Sequence, residues 1–198
     1  MNGKPLSFEH GYPERVIVPI VSGCRSVKWL DRITVQSEES MNWYQRYDYK
    51  ILPPEGTNNG NAKKHRDVTL ALPDMPINSA IAVLQTGNTI RMFSRGTIEV
   101  KGYALPRGAQ GPVVRVEVST DDGETWSEAE ISYANNWQSK WAWALWKATV
   151  KIEHRRKKRI LLRATDAGGN IQNDNGGKWN LRDVAYDGYG ETRDLTVL

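Results

Sequence analysis

The chain of 198 residues has one cysteine, two phenylalanines and three histidines. A single cysteine, Cys24, rules out an internal disulfide, so no oxidising compartment is required. The histidines, His10, His65 and His154, lie too far apart for the short spacings of a histidine-based zinc site. No apolar run approaches the ~20 residues of a membrane-spanning helix. The opening Met1-Asn2-Gly3-Lys4-Pro5-Leu6 has the pattern of neither a signal peptide nor a transit peptide. Long amphipathic helices and internal repeats are also missing, and a net charge of +4 is too mild to single out a nucleic-acid polymer. The balance favours a small anionic ligand.

What the chain does have is aromatic mass and alternation. Hydrophobic residues make up 39% and include eight tryptophans, enough for a substantial core. From Thr97 onward the period is two. Ile98, Val100, Gly102 and Ala104 alternate with Thr97, Glu99, Lys101 and Tyr103, and Val114, Val116 and Val118 with Arg115, Glu117 and Ser119. Such alternation marks half-buried antiparallel strands. Thr120 to Trp126, with Asp121-Asp122-Gly123 inside it, reads as a turn. Further strands are expected over 141–152, 158–165 and 192–198, separated by a turn at Asp166-Ala167-Gly168-Gly169-Asn170. About seven short strands with regular turns predict an immunoglobulin-like sandwich. In Trp141-Ala142-Trp143-Ala144-Leu145-Trp146, residues 141, 143 and 145 share one face, with Trp146 and the alanines on the other. The stretch suits core packing, with the alanines making room for a facing layer, or an interface face, or carbohydrate stacking. The basic run His154 to Arg159 reads as a solvated hairpin turn whose like charges guard a sheet edge.

The front of the chain carries the chemistry. His10-Gly11-Tyr12-Pro13-Glu14-Arg15 and Ser22-Gly23-Cys24-Arg25-Ser26-Val27-Lys28-Trp29 flank an apolar strand expected over 15–21, with a second expected over 28–36. His10, Arg15, Arg25 and Lys28 can each hold an anion, Ser26 adds a hydroxyl, and Gly23 would let backbone amides approach a phosphate closely. Cys24 reads as a small loop residue rather than a nucleophile, because no His/Asp pair accompanies it at a diagnostic spacing. Residues 52–67, with Pro-Pro, several asparagines and Lys63-Lys64-His65-Arg66, are the best linker candidate.

These stretches resemble a known family. Asn2 to Leu6, His10 to Arg15, Arg25-Ser26-Val27-Lys28-Trp29-Leu30 and Tyr47-Asp48-Tyr49-Lys50 resemble the end of the molybdenum-cofactor domain of sulfite oxidases and eukaryotic nitrate reductases. Lys101-Gly102-Tyr103-Ala104, Arg115 to Ser119, Asp122 to Trp126, Lys140 to Trp143 and Trp179-Asn180-Leu181-Arg182 resemble the dimerisation domain that follows it. The resemblance implies a mainly β chain: an immunoglobulin-like sandwich over 77–198, a linker over 51–76, and a remnant of a mixed α+β molybdopterin-binding domain over 1–50.

It further implies molybdopterin (the molybdenum cofactor) held by His10, Arg15, Ser26, Val27 and Lys28, with only part of the site in this chain. The implied partners are a second copy and, for the complete enzyme, a small oxyanion such as sulfite. The compartment it implies is the cytoplasm or the mitochondrial intermembrane space. In the family, the molybdenum-ligating cysteine, the active-site tyrosine and several substrate arginines come from upstream of the matched stretch, so Cys24 receives no metal role. Relatives place another substrate arginine in a Gly-rich loop. The corresponding stretch here, Leu105 to Pro112, offers Arg107 in a shifted register. On this reading the chain is a piece of a longer enzyme, inactive alone. The alternatives are a non-enzymatic β-sandwich that dimerises or binds another protein, and a carbohydrate-binding sandwich with exposed coplanar tryptophans.

Overall fold

The structure, a computed structural model, describes residues 3–50, 52–53, 55–71, 74–133, 139–154, 157–174 and 188–198. Two compact units divide between Met75 and Pro76. The second is the β-sandwich. Among the described residues its nine strands are β1 Asn78–Ile81, β2 Thr89–Ile90, β3 Thr97–Leu105, β4 Val113–Ser119, β5 Ser127–Glu128, β6 Glu130–Tyr133, β7 Ala144–Lys151, β8 Lys158–Asp166 and β9 Gly190–Val197. They form a four-stranded sheet in the order β1-β3-β7-β6 and a five-stranded sheet in the order β2-β9-β8-β4-β5. Every named pairing is antiparallel except that of β2 with β9. With the two-residue β2 and β5 set aside and the other seven strands lettered along the chain, this is A-B-E-D on one sheet and G-F-C on the other, the immunoglobulin arrangement.

Alternation places the core. In β3, Ile98, Val100 and Ala104 point inward, and in β7 Ala144, Trp146, Ala148 and Val150 do so. They meet Val116 and Val118 of β4, Ile160, Leu162 and Ala164 of β8, and Leu195 and Val197 of β9 in one cluster. Burying each valine, leucine or isoleucine among them stabilises the fold by roughly 1.5–3 kcal/mol before entropy is counted. Trp146 needs room that Gly102, its partner across β3, provides: a Cβ at 102 would overlap the Ala80 carbonyl oxygen and the Trp146 ring. Gln172 pairs several polar groups inside the sandwich, whereas Trp146 Nε1, Thr165 Oγ1 and Thr192 Oγ1 are buried without a partner. Gln172 Oε1 accepts from Ser79 Oγ at 2.5 Å and from the Ala164 amide at 3.0 Å, and Gln172 Nε2 donates to Gly188 O at 2.7 Å.

The strands expected over 141–152, 158–165 and 192–198 are present with shifted ends, the first beginning only at Ala144. Within the basic run His154 to Arg159, residues 155 and 156 lie outside the described residues, as do Trp179 to Arg182.

The first unit differs from expectation. Instead of strands over 15–21 and 28–36, a single antiparallel bridge joins Arg15 to Lys28. The backbone explains this. Pro19 has no N–H to give a ladder, and Ile20 and Trp29 sit at φ 55° and 53°, off the extended region. Short 3₁₀ turns at Phe8–His10 and Gly23–Arg25 flank the bridge. Within the stretch read as linker lies a helix, α1, Asn59–Arg66. Asn58 Oδ1 caps its N-terminus by accepting from the Asn61 amide at 3.0 Å. At the other end, the buried Lys50 donates from Nζ to Arg66 O at 2.6 Å. Leu52 and Ala62 are the only hydrophobic residues buried in this unit among the described residues.

Candidate functional site

The bridge organises the front of the first unit. The Val16 amide donates to Val27 O at 3.0 Å and the Leu30 amide to Glu14 O at 3.0 Å, so Arg15 and Lys28 lie directly opposite one another. In an antiparallel pair, opposed side chains leave on the same side of the ladder. Both reach the Phe8–His10 turn: Lys28 Nζ donates to Glu9 O at 2.7 Å, and Arg15 Nη1 to His10 O at 3.4 Å. The turn is pinned from a third direction by Trp29 Nε1, which donates to Phe8 O at 2.9 Å.

His10, Arg15 and Lys28 are therefore brought together. His10 is exposed, with Nδ1 2.6 Å from Ser7 Oγ. Ser26 Oγ accepts from the Val18 amide at 3.2 Å, and its own O–H can donate elsewhere. Val27 contributes its carbonyl to the bridge and leaves its side chain 48% exposed. Arg25 turns instead toward Tyr49, with its guanidinium carbon 5.8 Å from the ring centroid. Cys24 Sγ donates to Ser22 Oγ at 3.3 Å. Arg107 belongs to the second unit, where its amide donates to Asp166 Oδ2 at 3.0 Å and its Nη1 to Asn170 Oδ1 at 3.4 Å.

Three buried side-chain atoms described in the first unit lack a hydrogen-bond partner, Arg15 Nε, Gln45 Oε1 and Arg66 Nε, and the first of them lies at the bridge. A buried guanidinium donor without an acceptor is unfavourable, and a bound anion is a direct way to satisfy it. Close approach occurs at Gly11 rather than at Gly23. Gly11 adopts φ 109°, and a Cβ there would lie 3.0 Å from Lys28 Cβ, whereas a Cβ at Gly23 would meet nothing within 4 Å. Sequence reading quoted Gly11 without giving it a role; its position in His10-Gly11-Tyr12-Pro13 was the available signal. The nearby Glu9 carboxyl is held below its ordinary pKa, first by its own backbone N–H and then by the Ser7 hydroxyl.

Comparison with known proteins matches both regions in chain order. Residues 1–44 match the oxidoreductase molybdopterin binding domain, and residues 69–190 match the Mo-co oxidoreductase dimerisation domain. Mitochondrial sulfite oxidase of Rattus norvegicus is 40% identical over 187 residues, covering 93% of this chain and 33% of that protein. Sulfite oxidase of Arabidopsis thaliana is 38% identical over 194 residues, covering 93% and 47%. The NADH nitrate reductase of Ulva prolifera is 35% identical over 178 residues, covering 86% and 20%. The crystal structure of the sulfane dehydrogenase SoxCD from Paracoccus pantotrophus shares the fold, with TM-score 0.69 at 22% identity over 100% of this chain and 49% of that one.

Together the two domain matches define a molybdenum-cofactor oxidoreductase sequence. The chain belongs to the Mo-co oxidoreductase dimerisation domain family and is of the sulfite oxidase and nitrate reductase type. It spans between a third and about half the length of the sulfite oxidases above.

Proposed function

We propose that the chain works as the C-terminal part of a sulfite oxidase-type molybdenum oxidoreductase, supplying part of the pterin grip and the contact between two copies. The unsatisfied Nε of Arg15, opposite Lys28, carries the cofactor assignment. A pterin bearing a phosphate fits these residues. Lys28 spends one ammonium proton on Glu9 O and keeps others for a phosphate oxygen, Arg15 Nε offers a directed donor beside it, and the Ser26 hydroxyl adds a third. His10, held through Nδ1 by Ser7, stands at the turn both cations brace and would contact the pterin or its linker. Val27 would act through its backbone, which is already fixed by the Val16 amide.

When bound, the cofactor would supply oxygen-atom transfer: a small oxyanion such as sulfite would gain an oxygen from water and lose two electrons to an acceptor, the two protons of that water being released. In this chain's residues, the contribution is binding and orientation. Exposed apolar side chains of the first unit, among them Phe8, Ile17, Ile33 and Val35, suit a surface that the remainder of a cofactor domain would cover. Arg107, engaged with Asp166 and Asn170, is a candidate for a secondary anion contact.

The test is cofactor content in the full enzyme. Arg15→Ala and Lys28→Ala are expected to lower both molybdenum and extractable pterin per chain, the double variant most. Content equal to wild type in the double variant would remove the assignment.

A further inference from the structure

Helix α1 ends at two cations that the cofactor grip does not use. Lys50 is 6% exposed, and its Nζ donates to Arg66 O at 2.6 Å. Arg66 is the last residue of the helix, and its Nε is buried without a hydrogen-bond partner. Among the described residues no carboxylate pairs with either side chain. The adjacent Asp67 pairs instead with Arg46, 3.5 Å away, and both of those side chains are exposed. Lys63 and Lys64 of the same helix are exposed and add charge of the same sign.

Helix capping explains part of this arrangement. The last carbonyls of a helix carry partial negative charge, and a lysine that donates to one of them is stabilising. The carbonyl takes one of three ammonium protons and offers about half an elementary charge. An ammonium buried to this extent calls for a full counter-charge and further acceptors. Arg66 worsens the balance, because it sets a second positive charge on the very residue that Lys50 touches.

We propose that Lys50 and Arg66 form an anion site that takes a tetrahedral dianion of the sulfate or phosphate type. The site shares no residue with the Arg15–Lys28 grip and does not depend on the cofactor reading. Charge selects the ligand class. A carboxylate would leave one of the two cations unbalanced, whereas a dianion neutralises both. The donors agree: the Lys50 ammonium keeps two protons, and Arg66 Nε–H is directional, and each makes its strongest hydrogen bond to an anionic oxygen. The carbonyl end of α1 opposes an anion, but its partial charge is smaller than that of either cation. Bound there, the dianion would tie Lys50 to the end of a helix whose own burial is limited to Ala62.

The test follows the Arg66 Nε–H resonance of the ¹⁵N-labelled full chain as sodium sulfate or, separately, sodium phosphate is added, with chloride at matched ionic strength as the control. A saturable shift with either dianion and none with chloride is expected. Lys50→Met should weaken the affinity read at that resonance at least about tenfold. Lys63→Ala, at an exposed position, should change it by no more than about twofold. An Arg66 signal that neither dianion moves, or that chloride moves as far, overturns the site. So does wild-type affinity in Lys50→Met. Should Lys50→Met fail to fold, the wild-type titration decides alone. Failure of this site leaves the cofactor reading standing, since molybdenum and pterin content test that separately.

Discussion

The two units solve different problems with similar residues. In the second, apolar side chains meet one another: Val100, Trp146, Val116 and Leu162 are each no more than 3% exposed. In the first, Trp29, Ile33 and Val35 are 51%, 72% and 95% exposed, and order comes from hydrogen bonds to a turn braced by Arg15, Lys28 and Trp29. The sandwich is thus self-sufficient in apolar contacts. The first unit is organised around polar groups, with two buried guanidinium donors, Arg15 Nε and Arg66 Nε, unpaired. A region built to hold a charged group and to be covered by other protein has this form, and a region built to carry stability has the other.

Substitutions in the two regions should separate them. The largest effect is expected from Trp146→Ala, which removes the biggest inward side chain of β7 and should cost about 3–5 kcal/mol in denaturant unfolding of the sandwich. Next is Gln172→Leu. It strands the Ser79 hydroxyl, the Ala164 amide and the Gly188 carbonyl together, and a loss of about 2–3 kcal/mol is expected in the same measurement.

Acid should act on the second unit through named carboxyls. Asp121 is lowered from 3.8 to about 2, first by the Thr125 hydroxyl, then by the Ser119 hydroxyl and the Thr125 amide. Glu117 is lowered chiefly by its hydrogen bonds from Arg163. Since the unfolded chain binds protons more readily at these groups, their stabilisation is complete above the unfolded pKa of each. For Asp121 it is lost as pH falls from about 3.8 toward about 2. Asp121→Asn should flatten the decline of stability in that window, followed by acid titration of the unfolding midpoint. The smallest effect belongs to the first unit: Val35→Ser, at an almost fully exposed position, should change stability by no more than about 0.5 kcal/mol. A large loss there would mean that the unit has an apolar core of its own.

The same contrast decides how much could be read from the sequence. Alternation over 97–104 located β3, because a half-buried strand writes its inward face into every second residue; over 114–118 it located β4 but not its faces, since Val114 is 50% exposed at a register irregularity and Glu117 and Ser119 are buried. It separated Trp146 from Trp143 and Leu145 without saying which side faces the core; the structure buries Trp146 and leaves the other two about half exposed. The first unit wrote no such period. Its bridge is a single residue pair, and the left-handed φ of Ile20 and Trp29 could not be inferred from a β-branched and an aromatic residue. Helix α1, Asn-Gly-Asn-Ala-Lys-Lys-His-Arg, has no apolar stripe to betray it and is recognised by its Asn58 cap. For the candidate site, the juxtaposition of Arg15 and Lys28 followed from charge clusters flanking one apolar stretch. The contacts that fix it did not, because they run to backbone carbonyls of Phe8, Glu9 and His10, whose side chains carry no mark of that use.

Hydrogen exchange on the full chain tests the contrast most directly. The account predicts that amides of β3, β4, β7 and β8 exchange only through global unfolding of the sandwich, while the Val16 and Leu30 amides of the Arg15–Lys28 bridge exchange orders of magnitude faster through local opening. Equal protection in the two regions would contradict it.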